Sequence, residues 1–249
     1  MSGSRQSAGE NRVALVTGAA QRIGRAIALD LAAHGWQIAV HYATSRDAAE
    51  TVAEEIRGLG RRATTFAADL SRSAEVRGLI PRCISGLGAP NCLVNNASLF
   101  LDDTLASLEE ESWQAHMNVN MRAPVLLAQS MAAQLPPGAQ GHVVNIVDQR
   151  VLRPTPEFFS YSASKAGLWW ATRTMAQALA PAIRVNAVAP GPVLRSIHQS
   201  QEEFEAEQGA TLLGYGASPE EIASAVRFLI ETPAITGQMI CVDGGQHLT

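Results

Sequence analysis

The stretch Thr17-Gly18-Ala19-Ala20-Gln21-Arg22-Ile23-Gly24 follows the apolar run Val13-Ala14-Leu15-Val16 and leads into a pattern with apolar residues at Ile27 and Leu31. The apolar run predicts a parallel strand buried on both faces, and the four-residue spacing predicts a helix that Gly35 ends. Glycines in such a turn let the backbone approach a pyrophosphate, which the free N–H groups of the helix N-terminus can bind. Gly18, Gln21, Arg22, Ile23 and Gly24 are therefore candidate phosphate-binding residues. Glycine also occurs in strand-to-helix turns for steric reasons, so this motif needs support from the rest of the chain.

The same alternation of short apolar runs and helical patterns continues to the end of the chain. Further strands are predicted at 37–42, 63–67, 91–95, 142–147, 183–189 and 238–242, and long helices at about 108–135 and 160–180. This order predicts an α/β fold, a single-domain Rossmann-type doubly wound parallel sheet of about seven strands with helices on both faces. We expect residues 12–249 to form one domain and the polar residues 1–11 to form a disordered tail.

Composition excludes several classes of function. Of the 249 residues 47% are hydrophobic and 17% charged, which is incompatible with disorder of most of the chain. A net charge of -4 gives no basic footprint, so no nucleic-acid partner is expected. The apolar runs are shorter than the roughly 20 residues that span a bilayer, so no membrane association is expected. The three cysteines have neither disulfide nor metal spacing, which favours a reducing cytoplasm and predicts no metal.

The end of the second predicted strand bears on the choice of cofactor. The sequence His41-Tyr42-Ala43-Thr44-Ser45-Arg46 contains no Asp or Glu there. A carboxylate at this point binds the ribose hydroxyls of NAD and repels a 2′-phosphate, whereas hydroxyls and an arginine suit the phosphate. The pattern favours NADPH, with His41, Tyr42, Thr44, Ser45 and Arg46 as candidate contacts. The alternative is that Ser45 only caps a helix and Arg46 is solvated.

Polar residues also follow the next two strands. Asp69 and Leu70 follow the third strand, and Asn96 and Ala97 follow the fourth. Ligands of open α/β sheets bind outside the carboxyl ends of the strands, so these four residues are further candidates for cofactor binding.

Tyr161-Ser162-Ala163-Ser164-Lys165 places a phenol and an ammonium on one helix face. A nearby ammonium is expected to lower the pKa of a phenol. With the glycine-rich turn, Asn95-Asn96-Ala97 and Pro190-Gly191 in this order, the chain resembles the short-chain dehydrogenase/reductase family from about Arg12 to its C-terminus. The resemblance implies that Tyr161 is the acid, that Lys165 holds the nicotinamide ribose, and that Asn120 supports a proton relay. It also implies that Pro190, Gly191 and Val193 border the nicotinamide, and that Asp243-Gly244-Gly245 closes the chain.

Two positions depart from the general pattern of that family. Arg22 stands where the phosphate turn usually has its middle glycine, and Asp148 stands 13 residues before Tyr161, where the family usually has Ser. A serine there polarises a ketone oxygen, whereas a carboxyl group can bind an N–H-rich ring or help to protonate a ring nitrogen.

With both departures together, the chain resembles the pteridine reductase and dihydromonapterin reductase subgroup of the family. The resemblance extends to His41-Tyr42, to Asn96-Ala97-Ser98-Leu99-Phe100, to Leu179-Ala180-Pro181 and to the C-terminal Asp243-Gly244-Gly245-Gln246-His247-Leu248. It implies that Phe100 stacks the pterin on the nicotinamide, that Arg22 contacts the cofactor phosphates and reaches toward the substrate, and that Ser98 binds near both. Asp148 and Tyr161 complete the implied substrate site.

The resemblance also implies a substrate lid and an assembly. The polar, Glu- and Gln-rich segment 194–217 matches the family's lid in position, although its composition has no feature specific for a pterin. Trp169 and Trp170 lie on the helix that packs against a partner subunit in the family, which implies a homotetramer or homodimer.

Three hypotheses for the function follow. The first is an NADPH-dependent oxidoreductase that reduces a dihydropterin, dihydromonapterin or dihydrofolate by hydride transfer, with Tyr161 and Asp148 delivering the proton. The second is an NADPH-dependent carbonyl reductase of a 3-oxoacyl thioester or small ketone, because the same fold serves many substrates. The third is a regulatory protein that binds NADPH without turnover.

Overall fold

Seven parallel strands form one sheet in the computed structural model, which describes residues 12–196 and 199–249. The predicted tail, as well as Ile197 and His198, lies outside the described residues. Along the chain the strands are β1 Val13–Val16, β2 Gln37–Tyr42, β3 Ala63–Ala67, β4 Cys92–Asn95, β5 Gly141–Ile146, β6 Ile183–Pro190 and β7 Met239–Val242. Their order across the sheet is β3-β2-β1-β4-β5-β6-β7, as a doubly wound fold requires.

Eight α-helices connect and cover the strands within the described part of the chain. They are α1 Arg22–Ala33, α2 Arg46–Gly58, α3 Ser73–Gly86, α4 Glu110–His116, α5 Ala123–Gln134, α6 Phe159–Leu179, α7 Gln201–Gly209 and α8 Pro219–Glu231. The predicted long helix at about 108–135 is α4 and α5 joined through a π-helical turn, Met117–Arg122. Helix α7 lies inside the segment 194–217, for which no helix is predicted from the sequence.

The sheet is buried on both faces because successive side chains of each strand point to opposite sides. In β1, Ala14 and Val16 join the core under α1, α2 and α8, whereas Val13 and Leu15 join the core under α3, α5 and α6. All four β1 residues have no exposed surface, which explains why the run contains no polar residue. Among the described residues no helix is long and apolar enough to cross a membrane.

Helices α7 and α8 begin with the same capping box but differ in packing. Ser218 and Glu221 form the box of α8, whose buried side chains include Ile222, Val226 and Leu229. Ser200 forms the equivalent box of α7, a helix with no buried residue. The cap of α8 therefore stabilises an element of the core, whereas that of α7 stabilises a surface helix.

We expect Ser218→Ala to lower the free energy of unfolding by about 1 kcal/mol, the usual cost of losing such a cap. Ser200→Ala is the matched control and should have a much smaller effect, because α7 can fray without exposing the core. Chemical denaturation followed by circular dichroism measures both. Equal losses for the two variants would mean that α7 unfolds together with the core.

Candidate active site

The turn between β1 and α1 is tied to the carboxyl end of β4 by side chains. The hydroxyl oxygen of Thr17 accepts hydrogen bonds from the backbone N–H groups of Asn96 at 2.9 Å and Ala97 at 3.0 Å. The side-chain amide of Asn96 in turn donates to the carbonyls of Thr17 at 2.9 Å and Gly18 at 3.2 Å. These bonds hold the predicted phosphate turn against the strand that carries Asn96 and Ala97.

Two glycines allow the close approach within this turn. Gly18 has a φ of +63°, which disfavours a side chain. A Cβ on Gly24 would lie 2.5 Å from Nδ2 of Asn96 and closer still to the carbonyl oxygen of Gly18. Gly24 is therefore required for the first turn of α1 to pack on the strand end, and the backbone N–H groups of that turn stay free for an anion.

Arg22 adopts the left-handed conformation, with a φ of +54° at the position where the family usually has glycine. Its guanidinium donates to the carbonyl of Leu194 at 3.0 Å and to that of Arg195 at 3.1 and 3.2 Å. The structure thus joins the phosphate turn to the first residues of the predicted lid. The implied contacts of Arg22 with cofactor and substrate stay predictions.

A cleft of about 490 Å³ opens beside this turn at the carboxyl ends of the strands. It is lined by Gly18 and residues 20–24, 41–45, 69–70 and 96–99, together with Val119. The predicted cofactor residues of the first half of the chain therefore lie around one cleft, except Arg46, which is exposed at the start of α2. The sequence did not point to Ala20, Ala43, Leu99 or Val119, whose apolar side chains carry no chemical signal.

Tyr42, Thr44 and Ser45 lie in the part of the cleft predicted to select NADPH. Ser45 precedes α2, but its side chain makes no capping bond, so capping does not explain it. Asp69, which also lines the cleft, accepts hydrogen bonds from both the N–H and the hydroxyl of Ser71. These bonds hold the pKa of Asp69 below its usual value, so that a carboxylate faces the cleft.

The buried side chain of His41 supports the phosphate turn. Its ring is 1% exposed; Nδ1 accepts from the N–H of Gly18 at 3.0 Å, and Nε2 donates to the carbonyl of Ala68 at 3.1 Å. Burial lowers the pKa of His41 from 6.5 to about 4, and the imidazole is neutral. The ring joins the ends of β1 and β3, and its predicted contact with a cofactor stays a prediction.

Asp148 and Tyr161 form one hydrogen-bonded pair. The phenol of Tyr161 donates to Oδ2 of Asp148 at 2.7 Å, and Oδ1 of Asp148 accepts the N–H of Arg150 at 2.9 Å. Burial and the Asp148 carboxylate raise the pKa of Tyr161 well above its ordinary value. The expectation that the nearby ammonium lowers this pKa is wrong for this structure, because Asp148 and burial dominate.

Lys165 is 2% exposed and lies behind the phenol. Its Nζ donates to the carbonyl of Ile146 at 2.9 Å and is 5.6 Å from the ring centre of Tyr161. Burial lowers the pKa of Lys165 to about 8. The ammonium group of Lys165 is thus held at the end of β5, near the phenol of Tyr161.

Asn120 lies in the π-helical turn and is 1% exposed. Its Oδ1 accepts the N–H of Leu99 at 2.8 Å, and its Nδ2 donates to the carbonyl of Leu99 at 2.9 Å and to the hydroxyl of Ser164 at 3.0 Å. Ser98 approaches the same oxygen, at 3.3 Å. Asn120 therefore clamps the loop after β4 onto α6, and its part in a proton relay stays a prediction.

Phe100 stands beside the phenol and packs on a second aromatic residue. Its ring stacks on that of Phe158 with centres 4.4 Å apart, and it meets the Tyr161 ring edge-on at 4.7 Å. Arg150 covers Phe158 at 5.1 Å. Phe158 was not predicted as a site residue, although its position three residues before Tyr161 could have indicated it.

The remaining predicted site residues follow β6. Pro190 ends that strand, and a Cβ on Gly191 would lie 2.7 Å from Cβ of Asp243, so the turn packs directly on the C-terminal segment. Val193 is 7% exposed. Among the described residues no cluster of three metal-ligating side chains occurs.

Residues 12–206 match the family model described as short chain dehydrogenase, and the chain belongs to this family. A 3-oxoacyl-[acyl-carrier-protein] reductase of Synechocystis sp. is 37% identical over 238 residues, which cover 94% of this chain and 96% of that protein.

Two solved structures are also similar. FolM alternative dihydrofolate reductase 1 from Brucella suis, in complex with NADP, is 47% identical with a TM-score of 0.93 and coverage of 96% of both chains. A blue fluorescent protein from a metagenomic library, in complex with NADPH, is 33% identical with a TM-score of 0.89, covering 95% of this chain and 99% of that one.

We expect Gly24→Ala to weaken NADPH binding about 10- to 100-fold, because its Cβ must displace Gly18 or Asn96 at a cost of about 1–3 kcal/mol. Gly58→Ala is the control, since a Cβ at Gly58 meets no atom within 4 Å. Titration of NADPH fluorescence measures both. Equal affinity in the two variants would contradict a pyrophosphate site at this turn.

The buried His41 predicts a loss of stability in acid. The unfolded chain takes up the proton near pH 6.5 and the folded protein only near pH 4, so the free energy of unfolding falls as pH drops between these values. Each pH unit costs about 1.4 kcal/mol for this proton. His41→Asn should make this dependence less steep, while His142, whose pKa burial also lowers to about 4, maintains part of it. Denaturation at pH 4.5, 5.5 and 6.5, with pH 8 as reference, tests this. An unchanged slope would contradict a neutral buried imidazole.

Proposed function

We propose that this chain is an NADPH-dependent oxidoreductase that reduces a pterin of the dihydropterin, dihydromonapterin or dihydrofolate type. The observation that carries the proposal is the hydrogen bond between Tyr161 and Asp148 beside the ring of Phe100. A carboxylate can accept hydrogen bonds from the N–H groups of a pterin, which a serine hydroxyl at this position would do less well. The flat aromatic face of Phe100 suits a planar heterocycle.

The cofactor is NADPH, and the residues around the cleft fit it. The first turn of α1, which begins at Arg22, offers free backbone N–H groups to a pyrophosphate, and Thr44 and Ser45 present hydroxyls where a 2′-phosphate would lie. The similar structures from Brucella suis and the metagenomic library contain NADP and NADPH. When bound, NADPH supplies the hydride.

The phenol of Tyr161 is the proton donor in this proposal. Its raised pKa keeps it protonated at physiological pH, so the phenol holds the proton that the substrate nitrogen takes up in this proposal. Asp148 accepts the phenol hydrogen bond and thereby orients the phenol, which regains its proton from solvent water. Lys165 lies on α6, and its ammonium group, which reaches the end of β5, binds the nicotinamide ribose in this proposal. Asn120 holds the loop that carries Ser98 and Phe100.

The relatives support different substrates. The Brucella suis structure, at 47% identity, is named an alternative dihydrofolate reductase, whereas the Synechocystis relative, at 37%, is named a 3-oxoacyl-[acyl-carrier-protein] reductase. The second candidate function is therefore an NADPH-dependent carbonyl reductase. Asp148 argues against it, because the hydroxyl that polarises a ketone oxygen is absent from that position.

Assembly and lid belong to the same proposal. Trp170 on α6 is 63% exposed, which supports a homotetramer or homodimer formed through this helix. Residues 194–217 act as the substrate lid, and the contacts of Arg22 with Leu194 and Arg195 place the beginning of this segment at the cleft.

The test is NADPH oxidation by the purified protein with a 7,8-dihydropterin and, in parallel, with an acetoacetyl thioester. We expect turnover with the dihydropterin, and a loss of about 100-fold or more in kcat for Tyr161→Phe and for Asp148→Ser. NADPH affinity of both variants serves as the control and should be unchanged. Turnover with the thioester alone would replace the pterin proposal by the carbonyl reductase, and no turnover with either acceptor would favour a non-catalytic NADPH-binding protein.

A further inference from the structure

Three buried polar side chains lie behind the aromatic residues of the site. Asp103 is 4% exposed, and His116 and Ser160 have no exposed surface. They come from three separate parts of the chain, which are the loop after β4, the last residue of α4 and the second residue of α6. None of them lines the cleft described above.

The direction of each hydrogen bond in this cluster follows from one backbone donor. The N–H of Leu101 can only donate, so Nε2 of His116, at 3.1 Å, is the acceptor and carries no proton. The proton of the neutral ring is then on Nδ1, which donates to the hydroxyl of Ser160 at 2.6 Å. The hydroxyl of Ser160 donates to Oδ2 of Asp103.

Asp103 also binds the beginning of α6. Its Oδ1 accepts the N–H of Ser160 at 2.9 Å, and its backbone carbonyl accepts the N–H of Phe159 at 3.1 Å. The carboxylate therefore satisfies a free N–H at the N-terminus of the helix that carries Tyr161, where negative charge is favourable.

The cluster contains the residue types of a hydrolytic triad but cannot act as one. Ser160 is inaccessible, and His116 donates to the serine instead of accepting its proton, which is the opposite of what a general base does. The bonds are structural, and the two backbone groups that they join are those of Leu101 and Ser160. These residues are the direct neighbours of Phe100 and Tyr161.

We propose that His116, Ser160 and Asp103 are positioning residues that set the separation of Phe100 from Tyr161 and thereby the slot for a flat substrate ring. The His116 ring packs edge-on to Tyr161 at 6.1 Å. The same histidine binds the backbone N–H of Leu101, the residue next to Phe100. This inference rests on the proposed function, in which Phe100 and Tyr161 contact the substrate.

The central variant is His116→Phe, which keeps a ring but loses both hydrogen bonds. We expect kcat/KM for the dihydropterin to fall about 10- to 100-fold, the effect of a small misplacement of reacting groups. NADPH affinity should stay at the wild-type value, because the hydrogen bonds of the cluster join Leu101, His116, Ser160 and Asp103 and do not include the phosphate turn. His116→Gln, which offers a donor and an acceptor on one amide, should restore most of the activity.

Thr172→Val is the matched control for a purely structural loss. Thr172 is a buried hydroxyl on the same helix, bonded to Asn145 at 2.8 Å, without contact to Phe100. We expect it to lower the melting temperature without changing kcat/KM. The inference is overturned if His116→Phe and Thr172→Val change melting temperature, NADPH affinity and kcat/KM alike.

Crystal structures of the two variants with NADPH separate this inference from the proposed function. We expect His116→Phe to change the 4.7 Å separation of the Phe100 and Tyr161 rings, and Thr172→Val to leave it as it is. An unchanged separation in His116→Phe refutes the positioning role, whatever the substrate is. Failure of the wild-type protein to reduce a dihydropterin refutes the proposed function but leaves this structural result standing.

Discussion

The hydrogen bonds between Thr17 and the segment Asn96–Ala97 hold together two parts of the chain that are far apart in sequence. They cross from β1 to β4, the neighbouring strands between which the chain reverses the order of the sheet. At such a reversal the connections leave the sheet on opposite faces, and a crevice opens at the carboxyl ends. The phosphate turn forms one wall of this crevice and the loop with Ser98 and Phe100 forms another. Each other element of the site is placed relative to these two.

The fold was largely predictable because buried parallel strands leave a direct trace in the sequence. The predicted bounds of β1, β2 and β3 are those of the structure, since each strand is a short run with glycine or a polar residue within two positions of each end. Helix α7 was missed, because its residues contact little of the core and show no apolar period. The π-helical turn was also missed, since one widened turn hardly changes the periodicity of a long helix.

Some of the side chains near the phenol of Tyr161 were predictable from the sequence, but the direction of the shift in its pKa was not. Spacing within a helix identifies Lys165 as a neighbour of Tyr161, whereas Asp148 reaches the phenol only through the packing of β5 against α6. Its carboxylate and the burial of the ring reverse the expected direction of the phenol pKa. Phe158 and the Asp103–His116–Ser160 cluster escaped prediction for the same reason, because their significance lies in contacts between distant segments. Relatives named for different substrates share this scaffold, so the substrate depends on the few side chains around the phenol.

The π-helical turn has an evolutionary consequence. Such a turn holds one residue more than an α-helical turn, so it corresponds to an insertion into an ordinary helix. A deletion of one residue between His116 and Asn120 would restore regular hydrogen bonding, and by itself would make the helix more stable. It would also rotate His116 and Asn120 relative to each other by about 100°, and the loop that both side chains hold would lose one of its two anchors. A lineage that lost this residue would gain a more regular helix but would lose the alignment of His116 and Asn120 on the loop after β4.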